Sequence, residues 1–103
     1  MRQSLQGYVI FLEIHPLELV DGGELQAVVA RHPHAVLSLR HVIRLDQRAV
    51  AVLLRAQSVA RARGGDLRLC DAGRLAEHLR SIRLDTALRV FDTHLEALGS
   101  FGV

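Results

Sequence analysis

Ala35-Val36-Leu37-Ser38-Leu39-Arg40, then Gln47-Arg48-Ala49-Val50-Ala51-Val52-Leu53-Leu54-Arg55 running on to Arg63, then Gly64-Gly65-Asp66-Leu67-Arg68-Leu69-Cys70: this stretch decides the fold. Its first residues form a short apolar run, the signature of a buried strand. From Gln47 onward the apolar positions Ala49, Val52, Leu53, Ala56, Val59 and Ala60 repeat at helical spacing. Val50 and Leu54 widen that stripe, while Arg48, Arg55, Ser58 and Arg61 fall on the opposite side. Gly64-Gly65 supplies a left-handed stop. Asp66 to Cys70 then reads as another strand. A strand, a long helix and a second strand form a βαβ unit, which implies a parallel pair with a right-handed crossover.

The same alternation extends to both sides. Tyr8-Val9-Ile10-Phe11-Leu12-Glu13-Ile14 is a dense run of β-branched and aromatic residues, ended by His15-Pro16 because proline cannot donate to a ladder. Asp21-Gly22-Gly23-Glu24 opens a helix carrying Leu25, Val28 and Val29, which ends near Arg31, and His32-Pro33-His34 breaks it. Downstream, Asp71 is expected to cap a helix with Leu75, Leu79 and Ile82 on its apolar face. Leu88-Arg89-Val90-Phe91 reads as a strand, and Asp92 or Thr93 as the cap of a last helix with Leu95 and Leu98. The class is α/β. Ligands of such sheets gather at the carboxyl ends of the strands, so the loops Arg44 to Arg48 and Cys70 to Arg74 are the ones to examine.

Composition narrows the function. With 103 residues, half of them hydrophobic, the chain can bury roughly two-thirds of its unfolded surface and is read as one domain, residues 1–103. One cysteine excludes an internal disulfide and a thiolate zinc cluster. The longest early apolar run, Tyr8 to Leu12, falls short of a signal core or membrane span, so a cytoplasmic location without membrane insertion is expected. The formal charge is +2 and the cations are all arginine, with Asp and Glu interspersed rather than segregated. Four aromatic residues offer no stacking platform, so direct nucleic-acid binding is not expected.

Sharper chemical readings fail on spacing. Cys70 ends a strand, as the nucleophile of a cysteine phosphatase does, but Arg74 follows after four positions where a phosphate loop needs Cys-x5-Arg; a small core residue is the better reading. His32 and His34 flank Pro33, and the remaining histidines, at 15, 41, 78 and 94, form no ligand pattern, so no metal is expected. Gly22-Gly23 lacks the spacing of either phosphate-binding glycine motif. No cofactor and no catalytic residue is assigned. Asp46 is placed as the N-cap of the long helix, and Arg48 in its first turn is either a solvated arginine or an anion contact.

Leu45-Asp46-Gln47-Arg48-Ala49-Val50-Ala51-Val52-Leu53-Leu54, followed by Ala60-Arg61-Ala62-Arg63-Gly64-Gly65-Asp66-Leu67-Arg68-Leu69, resembles the STAS domain of bacterial anti-sigma-factor antagonists. That family's pattern is a strand, Asp-Ser-Ser-Gly-Leu-Gly, a long helix, Gly-Gly and a strand. His15-Pro16-Leu17-Glu18 stands where it has Gly-x-Leu-Asp, Leu79 to Leu84 where it has Leu-x-x-x-Gly-Leu, and Phe91-Asp92-Thr93 where it has Phe-x-Ser/Thr. The resemblance implies a four- to five-stranded, mainly parallel sheet with an antiparallel or extra N-terminal edge strand, and helices predominantly on one face. It also implies a non-catalytic regulatory module. Its partner would be an anti-sigma factor that is a serine-kinase-like ATPase, or a component of a sensory complex, and a homodimer is compatible with it.

The departure sits at the switch. Gln47 and Arg48 occupy the positions of the two serines, so phosphorylation of that loop is not expected, and Ala49 and Ala51 replace the glycines at the helix start. The expected partner surface is Asp46, Gln47, Arg48, Ala49, Ala51 and Arg55. Two readings from other classes are an accessory subunit of a membrane lipid transporter and a nucleotide or small-molecule binder at the strand ends.

Overall fold

The computed structural model describes residues 1–103. It begins with a hairpin. β1 (Arg2–Gln6) and β2 (Val9–Glu13) pair antiparallel, with Gln6 opposite Val9, and Gly7 at φ 63° takes the first central position of the two-residue turn, where glycine alone is unstrained. The expected N-terminal edge strand is therefore residues 2–6, whose polar composition gave no strand signal. β3 (His34–Ser38), β4 (Asp66–Cys70) and β5 (Val90–Phe91) follow in parallel, completing a five-stranded sheet in the order β1-β2-β3-β4-β5.

Period-2 alternation sorts the strand residues between two cores. Ile10, Leu12, Leu37, Leu67 and Leu69 face a large cluster built with α1 (Glu18–Asp21), α2 (Gly23–Arg31), α3 (Gln47–Ala62) and α4 (Leu75–Ser81). Val9, Val36 and Cys70 face a small cluster closed by Ala97 and Leu98 of α5 (His94–Gly99). Helices thus lie predominantly on one face, with α5 alone on the other. No helix is long and apolar enough to cross a membrane.

α3 is held by close approaches that the sequence marks with glycine. A Cβ on Gly65 would stand 2.1 Å from the carbonyl oxygen of Pro33, and one on Gly22, at φ +76°, 2.5 Å from Val52. The buried amide of Gln57 ties three segments together. Its Nε2 donates to Asp66 Oδ1 (2.7 Å) and to the Ala87 carbonyl (3.1 Å), and its Oε1 accepts the Leu67 N–H (2.7 Å).

Several local expectations are corrected. Asp71 does not cap α4: it adopts a left-handed conformation at φ 56° and turns its carboxylate to Ser38, while α4 starts after Arg74 with no side-chain cap. Thr93, not Asp92, caps α5 by accepting the Glu96 N–H. Ile82, Leu54 and Leu95 point outward. Leu95 lies in the first turn of the short α5, at the rim of the small cluster, whose buried contacts come from Ala97 and Leu98. The last strand keeps only Val90 and Phe91, and a 3-10 turn at Leu84–Thr86 precedes it.

Candidate functional site at the start of α3

The carboxyl ends of β2, β3 and β4 open onto the β2–α1, β3–α3 and β4–α4 loops. The His15 and His41 rings stack with centroids 5.2 Å apart, which brings the first two of these loops together. Asp46, extended at φ −87° and ψ 179°, is the N-cap of α3: its Oδ1 accepts the Ala49 N–H at 2.8 Å. That bond satisfies one of the orphan donors of the first turn. Gln47, Arg48, Ala51 and Arg55 are exposed along the first three turns, with Asp46 beside them. Ala49 is buried and forms floor rather than surface. The sequence-assigned residues thus come together, with five of the six accessible.

Two clefts flank this turn. One, of about 290 Å³, runs between α1 and α3 and is lined by Leu17, Val20, Arg44 and Arg48, among others. The other, of about 400 Å³, lies between α3 and α4 and is lined by Leu45, Gln47, Val50, His78 and Ile82. Sequence reasoning placed neither Leu17 nor Ile43 in the site. The available signal was an apolar residue in a connector, since Ile43 stands between two residues that the core buries, Val42 and Leu45.

The β4–α4 loop holds a latch rather than a reactive centre. Ser38 Oγ donates to Asp71 Oδ2 at 2.7 Å, the Cys70 thiol lies 3.4 Å from the same oxygen, and Arg40 is 3.9 Å from it. Burial, reinforced by the neighbouring Asp71 carboxylate, pushes the Cys70 thiol far up, so no thiolate forms near neutrality. At Glu18, burial raises the carboxyl, but the His15 N–H and the Met1 ammonium at 3.0 Å outweigh it and lower the pKa. No group of three or more His, Cys, Asp and Glu side chains is arranged to hold a metal.

No protein-family profile and no curated protein sequence matches the chain. The architecture, however, has a close counterpart among solved structures. The solution NMR structure of the protein TM1081 superposes with a TM-score of 0.78 at 18% identity, covering 94% of this chain and 84% of that one. The fold is that of TM1081. The 1.59 Å crystal structure of TM1081 from Thermotoga maritima, described as a candidate anti-sigma factor antagonist, gives the same TM-score and identity over 96% of this chain and 92% of its own. The TM1081 likeness agrees with the STAS-like α/β architecture read from the β3–α3–β4 stretch, including its mostly parallel sheet. At 18% identity it establishes the fold, and the chemistry at the start of α3 belongs to this chain.

Proposed function

We propose that this protein is a non-catalytic regulatory module that binds a protein partner through the start of α3 and is not switched by phosphorylation there. The observation that carries the reading is the exposed first turns of α3, flanked by two clefts, on a fold shared with a candidate anti-sigma factor antagonist. The partner expected on this reading is an anti-sigma factor of the serine-kinase type or a component of a sensory assembly. Regulation then resides in that partner or in abundance. Between Ser38 and Ser58 the chain has no hydroxyl; Ser38 is buried, and Ser58 sits three turns along α3.

The test starts with the immobilised protein and a lysate of its host, analysed by mass spectrometry. The retained protein is then titrated calorimetrically against wild type and Ala51→Arg. Ala51 is exposed, so a bulky cation there leaves the fold intact and obstructs docking. Loss of binding in Ala51→Arg is the expected result, and undiminished binding moves the surface elsewhere. A retained kinase is expected to leave Asp46 to Ala49 unmodified, and phosphate mapped to Ser58 would show that the correspondence of the loop is wrong.

A further inference from the structure

Resting on the protein-binding reading above, we propose that the partner meets this site with an acidic segment bearing an aliphatic face, seated in the cleft between α1 and α3. Leu17 and Val20 line that cleft, and Ile43 lies outside its lining, in the loop that leads to Arg44. Ile43, Leu17 and Val20 are 85%, 83% and 50% exposed, apolar surface that the fold leaves uncovered. Leu17 and Val20 share their cleft with Arg44 and Arg48, and Ile43 adjoins Arg44 in the chain.

This end of the molecule is unbalanced in charge at the cleft, where Arg44 and Arg48 face the single lining carboxylate of Asp46. Several carboxylates of this end are engaged within the fold: Glu13 with His41, Glu18 with the His15 N–H and the Met1 ammonium, Asp46 with the Ala49 N–H, and Asp71 with Ser38. Asp21 at the end of α1, Glu24 in the first turn of α2 and Glu77 in the first turn of α4 are exposed carboxylates without such a partner, all outside the cleft lining, and Asp46, although it caps α3, is exposed and lines the cleft. Arg44 and Arg48 are exposed, and neither forms an ion pair. The amino end of the α3 dipole adds to their positive potential, so Arg48 in the first turn opposes the helix that carries it. Its charge therefore serves a contact outside the fold. A phosphate backbone would use the arginines and leave Leu17 and Val20 in water, and a flat bilayer cannot fill a cleft between two helices. An acidic, aliphatic-faced protein segment satisfies both sets.

The protein retained from the host lysate, once purified, is titrated at low and high ionic strength against Arg44→Glu/Arg48→Glu and against Leu17→Ser/Val20→Ser, the aliphatic pair that lines the cleft. Charge reversal is expected to weaken binding by about a hundredfold at low salt and to flatten its salt dependence. Removing the aliphatic pair is expected to weaken it about tenfold with the salt dependence intact. Hydrogen exchange on the partner is expected to protect a segment rich in Asp or Glu. If Ala51→Arg blocks binding while charge reversal leaves affinity within about twofold, or the protected segment carries no excess of carboxylates, this inference falls and the protein-binding reading stands. A lysate that yields no specific partner removes both. Co-sedimentation with phosphatidylcholine–phosphatidylglycerol vesicles, abolished by the same two variants, would assign the surface to lipid and overturn the inference.

Discussion

Asp46 shows how a single side chain sets the site. Its carboxylate accepts the Ala49 N–H, so it shapes the turn from which Gln47 and Arg48 are exposed. Asp46→Ala is expected to cost about 1 kcal/mol in urea unfolding through loss of the cap. Cys70 gives a pH-dependent counterpart. Its folded pKa is raised, so below the unfolded thiol value of about 8.5 both states hold the proton and the residue adds no pH dependence. Above that value the unfolded chain ionises while the native one does not, and stability should fall by about 1.4 kcal/mol per pH unit. The chain has no lysine to obscure the effect. Denaturant melts between mildly alkaline pH values check it: the slope should shrink in Cys70→Ala, whose absolute stability is lower, and the native thiol should resist Ellman's reagent.

At the level of elements, α3 presents opposite faces to the sheet and to solvent. Leu53 is fully buried and Arg55 exposed, so Leu53→Ala should cost roughly 2–5 kcal/mol while Arg55→Ala stays within about 0.5 kcal/mol. Equal effects in urea melts would place the helix in the wrong phase. The turn after α3 is the second sensitive point. Gly65→Ala drives a methyl into the Pro33 carbonyl and should destabilise by about 1–3 kcal/mol, whereas at Gly64 the space is open and the cost is only that of a positive φ. The long amphipathic helix and buried strands were legible because burial imposes period. β1 was not, since an edge strand exposed at every residue leaves no alternation.

Across the whole molecule, Gln57 joins what chain order separates. Its amide links α3 to the start of β4 and to Ala87, just before β5, so the amino ends of these strands and the helix that carries the site form one framework. Gln57→Leu keeps the volume but leaves the Leu67 N–H without its acceptor, and should cost about 1–3 kcal/mol, read as a lowered urea midpoint. Loss of partner affinity without loss of stability would instead mean that Gln57 acts on the docking surface itself. The sequence hint was a glutamine on the buried stripe, one turn from Leu53; a partner thirty residues away in the chain has no local signature.

The sequence by itself determined the α/β class, the βαβ core from Ala35 to Cys70, the cap at Asp46 and the absence of a hydroxyl between Ser38 and Ser58, because each rests on local periodicity or on residue identity. The tertiary structure decided the rest. That Asp71 bonds Ser38 instead of capping a helix, that Ala49 is floor, and that Leu17 and Val20 stand beside Arg44 and Arg48 depend on which loops the sheet order brings together. Exposure and charge pairing are properties of neighbours distant in the chain, and only the packed fold chooses those neighbours.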